Sequence, residues 1–209
     1  PGYASTRRYA SSMRVFLVHG LGRTPVSMAW LARRLRRAGH RTTQFGYLVP
    51  TERLEAIAER FVDRVAHTLA EDATGSHPET LRPRYAVIGH SLGGIVARLA
   101  SPRLPDGFER FVMLTPPNRS PVAARRLASN PLYRLLFGDS GQKLATSELY
   151  ASLPRPSAPT LVIAGDRGLS APWLPFRGAT NDGIVRLDET PLPGAPLVVV
   201  HGAHTFVMN

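Results

Sequence analysis

The chain has 209 residues with 43% hydrophobic content, which suffices for one substantial core and predicts a single domain. It contains no cysteine, so disulfides, a thiol nucleophile and thiolate metal ligands are excluded. The formal net charge of +11 raises the question of a nucleic-acid partner. However, all but one of the 26 basic residues are arginines spread along the chain, and no nucleic-acid motif accompanies them. We therefore expect no nucleic-acid partner, while weak attraction to an anionic lipid surface stays open.

Apolar runs alternate with helical patterns along most of the chain. The predicted strands are 14–18, 41–47, 85–88, 111–114, 160–164 and 197–200, and the predicted helices are 25–38, 52–70, 93–100, 120–136 and 141–151. This alternation predicts an α/β fold of three layers, in which helices cover both faces of a mainly parallel central sheet. We expect residues 13–209 to form this domain, and the polar residues 1–12 to be a disordered arm or a remnant of processing or cloning.

The first predicted strand ends in a glycine-rich loop, His19-Gly20-Leu21-Gly22. The glycines allow a tight loop that brings a backbone N–H toward a reacting centre, and Leu21 is the candidate donor. His19 lies in the same loop and is a candidate substrate contact. An ordinary strand-to-helix turn is the alternative interpretation.

A serine turn follows the third predicted strand, in Gly89-His90-Ser91-Leu92-Gly93-Gly94. In a G-x-S-x-G turn between a strand and a helix, the serine takes a strained backbone conformation, so small residues are needed two positions before and after it. The turn predicts that Ser91 is a nucleophile. The Leu92 N–H, at the start of the following helix, is a second candidate donor to a developing oxyanion. A glycine-rich turn with an inert serine is the alternative.

A nucleophilic serine needs a histidine base and an acid that orients it. His204 lies on the loop after the last predicted strand and can reach across to Ser91, so we favour it over His201 at the strand end. Asp166 follows the fifth predicted strand, and Asp182 lies in a polar turn before His204. Either carboxylate can hold the imidazole, and spacing does not separate the two. Each is also typical of a turn residue that caps its own backbone.

Together these segments resemble the α/β-hydrolases of the small bacterial lipase and esterase type. The motifs stand in family order over nearly the whole chain: His19-Gly20-Leu21-Gly22, Gly89-His90-Ser91-Leu92-Gly93-Gly94, Asn181-Asp182-Gly183-Ile184-Val185 and His201-Gly202-Ala203-His204. The resemblance implies the α/β-hydrolase fold and favours Asp182 over Asp166, because in such lipases the acid commonly lies in an Asp-Gly-hydrophobic-Val turn. It also implies a further helix that packs under the sheet. The sequence as given stops at Asn209 and does not include this helix.

The same resemblance also assigns roles to residues other than the acid. It implies that Leu21 and Leu92 donate the oxyanion N–H groups and that His204 is the base. In hydrolases of this type a cap or lid often lies where this chain has 115–157, between two predicted strands. That stretch carries three candidate substrate contacts, Leu132, Leu136 and Phe137, and a proline-rich loop between the two aspartates adds Trp173 and Phe176. The alternatives are a helix packed on the sheet and aromatic side chains that only anchor their loop.

We therefore expect a serine carboxylic-ester hydrolase, an esterase or lipase. Ser91, His204 and Asp182 would act on a small-molecule ester or lipid through an acyl-enzyme, with no metal or organic cofactor. A thioesterase, amidase or acyltransferase with the same triad is the nearest alternative, and a non-catalytic binding domain of this fold is an alternative from another class. The sequence as given shows no membrane-spanning run and no apolar signal core, so we favour a bacterial cytoplasmic protein over a secreted one.

Overall fold

A computed structural model describes residues 12–74, 84–169, 171, 176 and 178–208. Its centre is a six-stranded sheet in the order β2-β1-β3-β4-β5-β6, and every neighbouring pair is parallel. The strands are β1 (Arg14–Val18), β2 (Arg41–Phe45), β3 (Tyr85–His90), β4 (Phe108–Leu114), β5 (Thr160–Gly165) and β6 (Leu197–Val200). The predicted parallel sheet is confirmed.

Helices lie on both faces of the sheet. They are α1 (Ala29–Arg37), α2 (Leu54–Thr74), α3 (Leu92–Ala100), α4 (Val122–Leu127), α5 (Pro131–Leu144) and α6 (Ser147–Ser152), with short 3-10 turns at Pro25–Met28, Ser101–Arg103 and Leu187–Glu189. α2 and α3 pack together over one face, where the larger hydrophobic core lies. α1 contributes Ala32 to a smaller core on the other face. The predicted three-layer α/β architecture is confirmed.

The alternation of side chains along β1 explains why both faces are covered. Phe16 and Val18 point into the larger core, whereas Val15 and Leu17 point into the smaller one, and all four are buried. Strands buried on both faces read as continuous apolar runs, which is the pattern of β1 in the sequence. The burial of this central strand fixes the sheet in the middle of the molecule.

The strand order reverses at β1, which lies between β2 and β3. After β1 the chain crosses to β2 at one edge, and after β2 it returns to β3 on the opposite side of β1. In open parallel sheets, ligands bind in the crevice beyond the carboxyl ends of the strands at such a reversal. The loop 19–22 follows β1 and Ser91 follows β3, so both sequence motifs lie at this crevice.

The insertion between β4 and β5 differs from its prediction. Two predicted helices, 120–136 and 141–151, are three helices in the structure. The break at the start of α5 is set by Asn130, whose side chain accepts hydrogen bonds from the Leu132 and Tyr133 N–H groups. Gly138 interrupts α5 with a left-handed backbone (φ 48°), so the helix continues through a kink where a break was predicted.

Two further expectations concern the ends of the chain. β6 was predicted as a buried strand, but it is the edge of the sheet, and the side chains of Leu197, Val198 and Val199 are partly exposed. Of the expected arm 1–12, residues 1–11 lie outside the described residues. Within the described ranges, none of the helices combines the length and the apolar character that crossing a bilayer requires.

Candidate active site

Ser91 joins β3 to α3 in a strained conformation. Its φ of 51° and ψ of −119° are values that residues with side chains rarely adopt. The turn is held by two backbone hydrogen bonds, from the Ser91 N–H to the Leu114 carbonyl (2.9 Å) and from the Gly94 N–H to the Ser91 carbonyl (3.0 Å). The surrounding structure therefore fixes the serine at the carboxyl end of β3, at the N-terminus of a helix.

The glycines on either side of Ser91 are required by close backbone approach. A Cβ on Gly89 would lie 2.5 Å from the Gly94 nitrogen, and a Cβ on Gly93 would lie 2.1 Å from the Val18 carbonyl oxygen. Both distances are far inside van der Waals contact with rigid backbone atoms. This explains in physical terms why the sequence places glycine two positions before and two positions after the serine.

His204 and Asp182 form a buried pair. The His204 Nδ1 lies 2.7 Å from Asp182 Oδ2, and the two side chains are only 5% and 1% exposed. The other carboxylate oxygen, Oδ1, accepts hydrogen bonds from the backbone N–H groups of Ile184 (3.0 Å) and Val185 (2.8 Å). The His204 N–H also donates to the Asp182 carbonyl oxygen at 2.8 Å. These contacts fix the carboxylate as an acceptor from Nδ1 and leave Nε2 of His204 available.

The second aspartate that the sequence left open has a different partner. Asp166 Oδ1 lies 3.0 Å from Nδ1 of His201, and the two side chains are 34% and 77% exposed. Each histidine of the 201–204 segment is thus paired with one of the two candidate aspartates. The Asp166–His201 pair lies at the surface, and neither residue lines the cavity described below.

His90, the residue before Ser91, is directed at the histidine loop. Its Nε2 lies 2.9 Å from the His204 carbonyl oxygen, so Nε2 carries the proton and donates it. Burial lowers the pKa of His90 to about 3, and repulsion from a charged His204 adds to this effect. Its Nδ1 has no partner among the described residues. A contact that spans 114 positions leaves no local signal, so the sequence predicts no role for His90.

Ser91 and His204 line one cavity of about 770 Å³ at the carboxyl ends of the strands. Its walls come from the loop after β1, the β4–β5 insertion and the turn that carries Asp182. The lining residues are Leu21, Gly22, Arg23, Thr24, Ser27, His90, Ser91, Pro117, Pro121, Ala123, Ala124, Leu127, Tyr133, Phe137, Leu144, Gly183, Ile184, Val185 and His204. Most of these are apolar, so the cavity suits an apolar substituent beside Ser91.

The two candidate oxyanion donors have free N–H groups at this crevice. Leu21 lines the cavity, and Leu92 is the first residue of α3, where a helical N–H has no intrahelical acceptor. In the part of the chain that the structure describes, neither N–H donates to a backbone carbonyl. Leu21 thus carries an unpaired N–H at the cavity wall, and Leu92, which is buried and does not line the cavity, carries one directly after Ser91.

The structure separates the predicted substrate contacts. Phe137 lines the cavity, whereas Leu132 and Leu136 do not and are 62% and 48% exposed on α5. Phe137 directly precedes the kink at Gly138. The prediction that the two leucines form the wall is therefore wrong in this conformation.

Two other predicted contacts, His19 and Phe176, also lie away from the cavity. His19 is fully buried and stacks on Tyr47 at 4.1 Å, its Nε2 accepts from the Tyr47 N–H at 3.4 Å, and burial lowers its pKa. It supports the loop instead of facing substrate. Phe176 is buried and is not among the residues that line the cavity, so the prediction is wrong for this residue. Trp173 lies outside the described residues.

Comparisons with known proteins bear on the fold. No protein-family model matches the chain, and no curated protein matches its sequence. The structure is similar to that of the lipase BlEst2 from Bacillus licheniformis in its mature form, with a TM-score of 0.75 and 18% identity over 95% of this chain and 87% of that one.

Two further solved structures have the same arrangement. The phospholipase PlaB from Legionella pneumophila gives a TM-score of 0.65 at 18% identity over 86% of this chain, which spans only 44% of PlaB. An extracellular α/β-hydrolase from a Paenibacillus species gives 0.58 at 17% identity over 94% of this chain and 93% of that one. With the parallel sheet, the serine turn after β3 and the strand reversal at β1, these likenesses show that the chain has the α/β-hydrolase fold.

Proposed function

We propose that the protein is a serine carboxylic-ester hydrolase. The observation that carries the proposal is the buried His204–Asp182 pair, held at 2.7 Å, whose histidine lines the same cavity as a serine on a strained strand-to-helix turn. Further support comes from the two free N–H groups of Leu21 and Leu92 at the same crevice. Proteins with similar solved structures include a lipase and a thermophilic esterase, which agrees with hydrolase chemistry on this fold.

In the proposed reaction the Ser91 hydroxyl attacks the ester carbonyl carbon, and His204 Nε2 takes its proton. When the ester is bound, Ser91 Oγ and Nε2 must come within hydrogen-bond distance of each other. The carbonyl oxygen becomes an oxyanion that accepts from the Leu21 and Leu92 N–H groups. His204 then returns the proton to the leaving alcohol, which leaves an acyl group on Ser91.

Water completes the cycle by the same route. It gives a proton to His204 and attacks the acyl carbon, and the carboxylic acid leaves as Ser91 regains its proton. Asp182 keeps the imidazole in the tautomer with the proton on Nδ1 and stabilises the imidazolium that forms twice in the cycle. The carboxylate can do this because its second oxygen is occupied by the Ile184 and Val185 N–H groups.

The test is hydrolysis of p-nitrophenyl esters from acetate to palmitate by the wild type, Ser91→Ala and Ser147→Ala. Ser147 is exposed on α6, so its variant controls for the loss of a serine hydroxyl. We expect Ser91→Ala to lose at least about 10⁴-fold in kcat and to lose labelling by a fluorophosphonate. The Ser147→Ala variant should retain both properties.

Three outcomes would redirect the proposal. Turnover that survives Ser91→Ala would refute it. Labelling of Ser91 without turnover of any ester would favour a thioesterase, amidase or acyltransferase with the same nucleophile. Neither labelling nor turnover would favour a binding domain of this fold.

A further inference from the structure

Among the described residues that line the cavity, Arg23 alone carries a permanent charge. It follows the loop 19–22 directly, its side chain is partly buried, and it shares the cavity wall with Ser91 and His204. A cation placed in an otherwise largely apolar wall is costly unless it has a partner. The Arg23 guanidinium is therefore expected to pair with another group.

A hydrogen bond to a threonine anchors the Arg23 side chain, and the described residues provide it with no counter-ion. Its Nη2 donates to Thr205 Oγ1 at 2.6 Å, across 182 positions of sequence. In the described ranges no carboxylate forms an ion pair with Arg23, whereas Arg14, Arg60 and Arg103 each pair with one. A guanidinium has five N–H donors, so most of those of Arg23 remain free after the bond to Thr205.

The hydrogen bond to Thr205 places the positive charge of Arg23 on the His204 side of the reacting centre. Thr205 follows His204, so the guanidinium lies beside the histidine loop. Its charge is also close enough to contribute to the lowered pKa of His90. In ester hydrolysis the leaving alcohol lies next to the general acid that protonates it, here His204. The acyl group of the ester would then lie against the apolar wall formed by Phe137 and Leu144.

We propose that Arg23 binds an anionic group, a phosphate or a carboxylate, on the alcohol portion of the ester. The inference rests on the proposed ester hydrolysis and adds its substrate class. A guanidinium fork matches the geometry of both anions and forms paired charge-assisted hydrogen bonds with them. Hydrolysis then adds water across the ester C–O bond and releases a carboxylic acid and the anionic alcohol. The net charge of +11 favours the approach of such substrates.

The test compares 4-butyryloxybenzoate with its methyl ester, which has the same acyl group and no charge on the leaving alcohol. The wild type, Arg23→Gln and Arg23→Lys are measured, together with Arg33→Gln. Arg33 is exposed on α1, so its variant removes one positive charge far from the cavity. Comparing the ratio of the two kcat/KM values between the proteins cancels the difference in intrinsic reactivity of the two leaving groups.

We expect Arg23→Gln to lower kcat/KM for the carboxylate substrate about 10- to 100-fold, mainly through KM, and to change the methyl ester by less than about threefold. Arg23→Lys should recover part of the loss because it restores the charge but not the fork. Arg33→Gln should leave the ratio unchanged. Equal losses on both substrates would overturn the inference, since they would mean that Arg23 only supports the His204 loop through Thr205.

A second pair of substrates distinguishes the sources of the anion. Monomeric hexanoyl glycerol phosphate offers a soluble phosphate, and vesicles of dioleoylphosphatidylglycerol offer a lipid headgroup. Hydrolysis that depends on Arg23 in either arm supports the inference and identifies the source, and hydrolysis independent of Arg23 in both arms overturns it. If the wild type hydrolyses none of these esters and Ser91 is not labelled, the proposed function itself fails and takes this inference with it. If the esters are hydrolysed but the kcat/KM ratio of the two benzoate substrates is the same in the wild type and in Arg23→Gln, the inference about Arg23 is refuted and the proposed function stands.

Discussion

At the scale of single residues, the two histidine–aspartate pairs make the choice of acid testable. Asp182 is buried and uses both oxygens, one for His204 and the other for the two backbone N–H groups. Asp166 shares a solvent-exposed hydrogen bond with His201 outside the cavity. A surface pair of this kind contributes little, because water competes for both partners.

Replacing each aspartate by asparagine should therefore have very different effects. An asparagine at 182 has one acceptor oxygen and no negative charge. It cannot accept from the two backbone N–H groups and from His204 Nδ1 together, so it no longer holds His204 in the tautomer with the proton on Nδ1. We expect kcat on p-nitrophenyl butyrate to fall about 10³- to 10⁴-fold for Asp182→Asn and less than about threefold for Asp166→Asn. Circular dichroism of both variants controls for folding. A larger loss in Asp166→Asn would reverse the assignment of the acid.

Features that depend on residues close together in the sequence could be predicted, whereas contacts between distant segments could not. The need for glycine at 89 and 93 was predicted from a six-residue motif, and the backbone distances give its cause. The bond between Arg23 and Thr205 and the bond between His90 and the His204 carbonyl join distant segments. No local periodicity or spacing carries such a pairing, so only the folded chain reveals it.

At the scale of elements, the strands were predicted well and the β4–β5 insertion was not. β1 and β6 have the predicted bounds, because short apolar runs between turns are a strong signal. In the insertion, Asn130-Pro131 is a readable helix start, with a capping side chain and proline at the first helical position, and it was overlooked. The kink at Gly138 could not be predicted, since it depends on packing against the backbone of Val49 and Pro50.

A buried polar network holds the start of this insertion against α3. Arg98 on α3 donates to Asn118 Oδ1 at 2.9 Å, and Asn118 Nδ2 donates to the Thr190 carbonyl at 2.7 Å. Glu189 accepts from the Val122 N–H at the start of α4 at 2.8 Å. Because these groups are partly or fully buried, the network is strong only when every member is satisfied. It fixes where the insertion leaves the sheet and hence where its cavity wall stands.

Phe137 is the part of this wall that should control the size of the acyl group. Its ring lies against Gly22, where a Cβ would be 2.9 Å from Phe137 Cε1. We expect Phe137→Ala to enlarge the cavity and to raise the ratio of kcat/KM for p-nitrophenyl decanoate over butyrate by about tenfold, since each buried methylene in such a pocket changes discrimination by at least that order.

Leu135→Ala is the matched control for this prediction. Leu135 lies two residues earlier on α5 and is 72% exposed, so it tests the loss of an apolar side chain that does not line the cavity. Its ratio should equal that of the wild type. The same shift in both variants, or none in Phe137→Ala, would show that the acyl group does not reach this wall.

At the scale of the whole molecule, the large positive charge is partly organised into contacts between elements. Arg14 of β1 and Arg41 of β2 both pair with Asp72 of α2, and Lys143 of α5 pairs with Glu55 and Asp139. Composition predicted the excess of arginine but not these partners. Since the pairs are partly solvated, we expect the pH dependence of stability to be set more by buried histidines than by these ion pairs.

Burial lowers the pKa of two histidines, His19 and His90, and so disfavours their charged form in the fold. An unfolded histidine titrates near pH 6.5, whereas His90 in the folded chain takes up a proton only near pH 3. Between these values the unfolded state binds more protons than the folded state. The free energy of unfolding must therefore fall as the pH is lowered from about 6.5 toward 3.

Urea denaturation at pH 7 and pH 5 measures this effect. One histidine that is neutral only when folded contributes a loss on the order of 2 kcal/mol between these two pH values. We expect His90→Gln to reduce the difference by about that amount, because glutamine does not titrate yet can still donate to the His204 carbonyl. His67→Gln, at an exposed position on α2, should leave the difference unchanged. Comparing two pH values within each variant cancels any loss of packing that the substitution causes. An unchanged difference in His90→Gln would mean that His90 becomes charged in the folded protein, and its bond to the His204 carbonyl would then have to hold in both protonation states.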